Sequence, residues 1–335
     1  MIKISICIPT YNRAECLVNC LNSIKLNSNK FNNEVEVCIS DNCSTDQTEE
    51  VVRNAQEHLD IKYHKNSKNL GIPFNFLNVV DMAGGEFVWL LGDDDLLIPS
   101  AFAQIINLID SYKKVDFFYV NSFHLTTEFV FSYPQPFDTR NLPIYMEKFS
   151  AWTESGEMNF LELIDPKISF DFLGGMFTSV FRRKNWIENT SVLDNNALLD
   201  SRTFSHFDNT FPHIKIFSTA FANSNAYFYA PALSVCLTGA REWAPMYPFI
   251  RSVRLIEALN EYRKNGLTYF NYFKCKNFAL GFFIPDLVYI YLNRDKSGYE
   301  YVKPFQLVLS SALYPGLYLS FFTYFIRKIK SLISN

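Results

Sequence analysis

Three adjacent carboxylates, Asp93-Asp94-Asp95, close the apolar run Trp89-Leu90-Leu91-Gly92. Carboxylates held this close repel one another unless water or a cation offsets the charge. At the end of a buried strand a divalent cation meets that need, and an all-oxygen ligand set selects Mg or Mn over zinc or copper. Such an ion would hold the phosphates of a nucleotide. An isolated Asp triplet reads more simply as a solvated acidic turn before the helix that Pro99 opens. The segments upstream tilt the balance toward the metal.

Those segments alternate. Ile2–Ile8 predicts a first strand, followed by the loop Pro9-Thr10-Tyr11-Asn12-Arg13 and a helix over 14–26 that carries Leu17, Leu21 and Ile24 at helical spacing. Val35–Ser40 predicts a second strand ending at Asp41, and Ser44 followed by Gln47 fits a capping box for a helix running to Ala55. A short strand Ile61–Tyr63, a helix opened by Pro73, a strand Phe87–Leu91, a helix over 99–112 and a strand Asp116–Val120 complete the pattern. Such alternation predicts an α/β fold, an open, mostly parallel sheet with helices on both faces. Ligands of these sheets sit outside the carboxyl ends of the strands. Pro9–Arg13, Asp41 and Asp93–Asp95 all fall at such ends.

The remainder is less regular. From about His124 to Tyr145 the pattern weakens, which predicts a crossover into a second region over 124–248, after a first over 1–123. That second region holds the paired Gly174-Gly175, read as either a close approach of backbone to ligand or a tight turn. Residues 249–335 read as a helical third part. Between Lys303 and Arg327 no residue is charged, and Arg327, Lys328 and Lys330 follow. Pro315-Gly316 would break a spanning helix, so an in-plane amphipathic anchor on anionic headgroups is the expectation. A helical hairpin packed on the core is the alternative.

The net charge of −3 over 335 residues gives no basic footprint for nucleic acid. The 33 Phe and 19 Tyr concentrate after Phe117, which points that half toward a greasy or sugar-like partner. Seven cysteines without a metal-type CxxC pair, and an N-terminus without the pattern of a signal peptide, predict reduced thiols in a cytoplasmic protein.

Four motifs in order, Ile8-Pro9-Thr10-Tyr11-Asn12-Arg13, Ser40-Asp41-Asn42-Cys43-Ser44-Thr45-Asp46, Asn69-Leu70-Gly71 and Leu91-Gly92-Asp93-Asp94-Asp95, resemble the family 2 glycosyltransferases of GT-A fold. Gly174-Gly175, Arg182–Trp186 and Phe211-Pro212-His213 look similar to bacterial O-antigen abequosyltransferases, which use CDP-dideoxyhexose donors. The resemblance implies a GT-A fold, to which the C-terminal pattern read above adds a helical, membrane-associating extension. It also implies transfer of one sugar from a nucleoside-diphosphate sugar to a lipid-linked saccharide acceptor, at the cytoplasmic face of the membrane. Its DxD-type motif falls on Asp93, Asp94 and Asp95, with Asp94 as the principal metal ligand, Asp93 near the ribose and Asp95 in support. Asp41 matches the base-reading carboxylate. Pro9, Thr10, Tyr11 and Arg13 match the loop over the nucleoside, and Lys68 and Asn69 reach it from the opposite side. Relatives place an acidic pair far downstream as the general base. None stands there, and Asp208 and His213 are the candidates.

Three other readings compete. A nucleotidyltransferase would cradle its triphosphate in a Gly-rich loop, and Pro9–Arg13 contains no glycine. A processive synthase would carry long membrane helices and a Gln-x-x-Arg-Trp run, both missing here. A non-enzymatic sugar-binding protein would have no need of Asp41 and all three carboxylates.

Overall fold

The computed structural model describes residues 2–28, 33–239, 241 and 243–333, the last from 327 onward by backbone alone. Among the described residues nine strands form one mixed sheet, in the order β3-β2-β1-β4-β8-β6-β9-β5 with β7 on β9. The strands are β1 Ile4–Thr10, β2 Val35–Asp41, β3 Ile61–Lys65, β4 Phe87–Leu90, β5 Leu96–Leu97, β6 Phe117–Thr126, β7 Gly156–Asn159, β8 Ser179–Arg182 and β9 Asn225–Thr238.

The nucleus of the sheet is the parallel set expected from the sequence. β1 lies between β2 and β4, and the register sets Thr10 beside Asp41. Every residue of β1, β2 and β4 is buried, as strands covered on both faces require. Alternate residues sort into two cores: Val88 and Leu90 face one, Phe87 and Trp89 the other. Helices α1 (Ala14–Ser28), α2 (Thr48–Ala55), α3 (Ile72–Asp81) and α4 (Ala101–Ser111) connect these strands. In α1, Leu17, Cys20, Leu21 and Ile24 are buried at the spacing of one helical face. Gly71, at φ +87°, turns the chain into α3, whose first turn accommodates Pro73.

Two local expectations change. The capping box of Ser44 and Gln47 does not form. Instead Asp46 caps α2, accepting from Thr48 N–H (3.1 Å) and Oγ1 (2.6 Å), while Ser44 Oγ accepts from Asn12 N–H (2.8 Å). A carboxylate with two oxygens also serves Ala14 N–H at the start of α1 (2.9 Å), which a hydroxyl in that place could not match. The sheet is also less parallel than the alternation implied. β8 runs antiparallel between β4 and β6, and β5 and β7 run antiparallel to β9. These are short segments far apart in the chain, so local periodicity carried no sign of them. β9 meets β6 in parallel, with register shifts at Val120–Ser122. It thereby carries the chain back to the carboxylate loop.

After β9 the chain is helical. Helices α5 (Arg183–Asn189), α6 (Phe207–Thr210) and α7 (Pro212–Ala220) precede it, and α8 (Leu255–Lys264), α9 (Tyr269–Ala279), α10 (Phe283–Leu292), α11 (Pro304–Ser311) and α12 (Pro315–Ile333) follow. The Pro315 break falls where the sequence placed it, and α11 and α12 meet at a bend of 116°. The segment Tyr269–Leu292 is long and apolar enough to cross a bilayer by length and composition. The basic side chains of Arg327, Lys328 and Lys330 lie outside the described residues.

Candidate active site

The carboxyl ends of β1, β2 and β4 open on a common crevice. Asp41 ends β2 and is fully buried. Tyr63 Oη donates to its Oδ2 and Ser44 N–H to its Oδ1, both at 2.7 Å. Burial and Asp41 together raise the Tyr63 phenol, which keeps it a donor. The loops after β1 and β2 are laced to each other: Asn12 Oδ1 accepts from Thr45 N–H (2.7 Å). Asn12 and Cys43 adopt left-handed backbone conformations, φ +50° and +68°. Strain of that kind gathers where a loop is held for a purpose.

Of the loop expected over a nucleoside, Pro9 and Thr10 are buried, Arg13 is half-buried and Tyr11 is exposed. Lys68 and Asn69 sit exposed on the loop after β3. Asn69 Oδ1 accepts from Asn42 Nδ2 (2.8 Å), and Asn42 Oδ1 from Leu70 N–H (2.8 Å), so this loop is tied to the end of β2. Asn75, on α3, donates to Thr10 O (3.2 Å) and accepts from Ser40 Oγ (2.7 Å).

The Asp triplet is not a solvated turn. Asp93, Asp94 and Asp95 are 6%, 5% and 1% exposed. Thr10 Oγ1 donates to Asp93 Oδ2 (2.8 Å), Arg13 bridges Asp93 Oδ1 and Asp94 Oδ2 (both 2.9 Å), and Arg241 Nε reaches Asp94 Oδ2 at 3.4 Å. Asp95 Oδ2 accepts from Gly92 N–H (2.7 Å). Burial raises the pKa of Asp93 and Asp95, with repulsion from Asp94 adding to it and the guanidiniums opposing. A Cβ on Gly92 would stand 2.7 Å from Asp94 Oδ1 and 3.0 Å from Asp95 Oδ2, so only glycine leaves the carboxylates where they are.

These residues fit a divalent cation shared with a diphosphate. Asp95 Oδ1 is buried with no hydrogen-bond partner, an oxygen in want of a cation. They do not form a cage by themselves, since among the described residues no three His, Cys, Asp or Glu side chains enclose a metal position. Mg²⁺ and Mn²⁺ sites need no cage: one or two carboxylates suffice when substrate phosphates and water complete the shell.

A second cluster surrounds the Gly174-Gly175 turn. Asp171 organises it, its Oδ2 accepting from Gly175 N–H (2.6 Å) and its Oδ1 from Ser169 Oγ (2.9 Å). The two residues after it, Phe172 and Leu173, stand at φ +53° and +68°. Asp171 is half-buried, and burial raises its pKa against the hydrogen bonds from Ser169 and Gly175. His213 on α7 is buried, and its Nε2 lies 3.2 Å from each of the carbonyls of Leu173 and Gly174. Two acceptors at one nitrogen assign the proton to Nε2. Burial lowers the imidazole to about 4, so it is neutral at working pH. Asp208, 5% exposed, accepts from Asp194 N–H (2.7 Å) and from Lys215 Nζ (2.6 and 2.9 Å).

Sequence reasoning missed Arg241, Asp171 and Asn75. Asn75 sits among helix residues and Arg241 in a loop 147 residues from Asp94, so only the fold reveals their neighbours. A signal existed for Asp171: a lone carboxylate three residues before paired glycines.

Residues 5–162 match the family profile described as glycosyl transferase family 2. The abequosyltransferase RfbV of Salmonella typhimurium is 49% identical over 115 residues, 33% of this chain and 34% of that protein. A Campylobacter jejuni GalNAc(5)-diNAcBac-PP-undecaprenol beta-1,3-glucosyltransferase is 38% identical over 108 residues, 32% of this chain and 34% of its own. The matched part is thus about a third of these curated relatives' length. Among solved structures, Staphylococcus aureus TarS 1–349 in complex with UDP superposes with a TM-score of 0.55 at 17% identity, over 84% of this chain and 71% of that one. The mannosyltransferase PcManGT of Pyrobaculum calidifontis, in complex with GDP-Man and Mn²⁺, gives 0.51 at 14% identity, over 95% and 84%. These two likenesses establish the fold. The motif resemblance to family 2 glycosyltransferases is borne out over the first half of the chain.

Proposed function

We propose that this chain, with its family 2 match over residues 5–162, is a glycosyltransferase that moves one sugar from a nucleoside diphosphate to a lipid-linked saccharide during surface-polysaccharide assembly. One observation carries the reading. Asp93, Asp94, Arg13 and Arg241 meet at the carboxyl ends of the strands, beside Asp41. Guanidiniums now neutralise the carboxylates. A cation–diphosphate unit offers each group a better partner, carboxylate to cation and guanidinium to phosphate oxygen.

In this reading Asp41 accepts an N–H of the base, and the loops of Pro9–Arg13 and Lys68-Asn69 cover the nucleoside. Asp93 is placed for the ribose, and Asp94 and Asp95 for Mg²⁺ or Mn²⁺. When bound, the cation stabilises negative charge on the departing diphosphate. Arg13 and Arg241 stabilise the same charge from the protein side, in a crevice where water is scarce and electrostatics are strong. The acceptor hydroxyl approaches from the Gly174-Gly175 side and gives its proton to a carboxylate. Asp171 suits that task better than the two residues first expected. His213 already carries a proton at Nε2 and faces backbone, and Asp208 is bound to Lys215.

The abequosyltransferase similarity favours a CDP-3,6-dideoxyhexose donor; a UDP- or dTDP-hexose is the alternative. The undecaprenol in the name of the Campylobacter relative supports the lipid-linked acceptor, and such an acceptor favours the cytoplasmic membrane face as the place of reaction. The test is a thermal shift of the purified chain with CDP, UDP, GDP and dTDP, each with and without Mn²⁺. A cation-dependent rise with one pyrimidine diphosphate is expected and names the donor class. No rise with any of them, in folded protein, overturns the proposal.

A further inference from the structure

We propose that α9–α12 form a rigid platform that lies flat on an anionic bilayer and inserts the α11–α12 elbow, tipped by Leu313, into the near leaflet. The partner is chosen in keeping with the lipid-linked acceptor proposed above, and the surface itself is read from the fold.

The apolar side chains of this region face outward in unusual number. Phe270 is 78% exposed, Leu292 73%, Phe305 80%, Leu309 66%, Leu313 89% and Phe322 62%. Single exposed apolar residues are ordinary, whereas a contiguous set on neighbouring helices marks a site of interaction. Exposed tyrosines, Tyr269, Tyr289, Tyr291 and Tyr318, stand among them. Rings with a polar tip suit the boundary between acyl chains and headgroups.

The platform is fastened to the body and does not hang from it. Asp286 of α10 pairs with Arg251 (2.6 Å) and accepts from Ser252 Oγ (2.5 Å). Gly316 N–H donates to Asn277 Oδ1 (2.9 Å), and a Cβ on Gly316 would come within 2.2 Å of Asn277 O, so α12 crosses α9 at backbone contact. Ser320 Oγ accepts from Ile284 N–H (3.0 Å), and Lys276 Nζ donates to Ser310 O (3.1 Å). Inner residues Cys275, Leu280, Phe283, Ile290 and Leu317 are buried in the main core. The outer residues are thus held out, and folding offers them no cover.

Charge selects a bilayer over a second copy of the chain. Residues 269–335 carry eight Lys/Arg and three Asp/Glu, and one of the three acids, Asp286, is spent internally. The whole chain has 31 basic and 34 acidic residues, so this end is basic on an otherwise acidic protein. A self-contact would bring like charges together, while anionic headgroups complement them. Length at the elbow and anchorage behind it select one leaflet: α9 and α10 together are long enough to span, but Cys275, Leu280, Phe283 and Ile290 hold them in the main core. The eight-residue α11 is about 12 Å long, well short of the roughly 30 Å hydrocarbon core. The 116° bend then turns the chain back.

The test is co-sedimentation of the full chain with vesicles of phosphatidylcholine alone and of phosphatidylcholine with 30% phosphatidylglycerol (about 0.15 M salt). Binding is expected to the anionic vesicles and to weaken as salt rises. Leu313→Asp should lower it about tenfold or more, while Ile144→Asp, at a residue 91% exposed elsewhere on the surface, should leave it unchanged. The proposal is overturned if neither vesicle binds, if Leu313→Asp binds as the wild type does, or if the lipid-free chain is a dimer that Leu313→Asp dissolves. The nucleotide-induced thermal shift of Leu313→Asp is read in parallel. Its retention alongside lost vesicle binding keeps the donor site and the docking surface separate, and its absence in all forms would fault the transferase reading alone.

Discussion

Arg241 Nε lies 3.4 Å from Asp94 Oδ2, the same oxygen that Arg13 Nη2 holds at 2.9 Å. One carboxylate oxygen is thus shared by two guanidiniums that lie far apart in the chain. Arg241 also lies over the Trp243 ring at 5.4 Å, and its neighbours raise its pKa, so its charge is permanent. Arg241→Ala should therefore reduce transfer by about 10- to 100-fold, mostly through kcat, because the lost contact is to charge that grows during reaction. Arg241→Lys should recover only part, since an ammonium cannot reproduce the planar fork. Steady-state kinetics against donor concentration check both.

Asp94→Asn keeps the shape and removes the charge. The carboxylate is buried and paired with Arg13 and Arg241, so the neutral amide leaves two guanidiniums short of charge and should also lower the thermal midpoint of the ligand-free protein. Transfer should fall about 10²–10³-fold or more, with loss of the Mn²⁺-dependent nucleotide shift. Normal turnover of this variant would put the cation elsewhere.

Gly92→Ala tests the same loop without touching a charge. Its Cβ would stand 2.7 Å from Asp94 Oδ1, and with φ in the ordinary range the cost is collision alone. The carboxylates must shift by several tenths of an ångström. A drop in activity of about tenfold or more, with a stability loss of roughly 1–3 kcal/mol, is expected. Activity assays and denaturant melts on one preparation separate the two effects.

The chain's own pattern disclosed some of this and hid the rest for physical reasons. Strands buried on both faces leave a continuous apolar run at β4, and β1 and β2 carry Ile or Val at every second position, so these strands and the loops that end them were readable. Asp41 and the Asp triplet follow because parallel strands deliver their carboxyl ends to one edge. β5, β7 and β8 are two to four residues long, and their pairing is decided by distant partners. Arg241 reaches Asp94 only because β9 returns beside β6. His213 showed the ambiguity of a single residue type: the sequence offered an imidazole, and only the carbonyls of Leu173 and Gly174 gave it a task.

Asp171→Asn separates proton transfer from turn geometry. The amide still accepts from Ser169 Oγ through its Oδ1, while an amide nitrogen facing Gly175 N–H disturbs the turn modestly. If Asp171 takes the acceptor proton, kcat should fall about 10²–10⁴-fold with little change in donor-induced thermal shift. Its raised pKa also predicts an acidic limb in the wild-type kcat profile, activity falling as pH drops through that pKa. Unchanged kcat would return Asp171 to a purely structural place.

His213 gives the pH dependence of stability. Its pKa falls from 6.5 in the unfolded chain to about 4 in the fold, because burial penalises the imidazolium. Between those values the unfolded chain binds the extra proton and the folded chain does not. The contribution is therefore complete above about pH 6.5 and is lost as pH falls toward 4, with a total on the order of 3 kcal/mol. His213→Gln supplies an amide N–H for the carbonyls of Leu173 and Gly174 and has no titration in this window. The variant should be less stable than wild type at pH 7.5, and the gap should narrow as pH falls to 4.5, in urea melts run across that range. Transfer by the variant at pH 7.5 should stay within about tenfold of wild type, because a buried Nε2–H that faces backbone supports the turn and takes no proton from the acceptor. A loss of several orders of magnitude in kcat, with an unaltered stability profile, would instead make the imidazole the base.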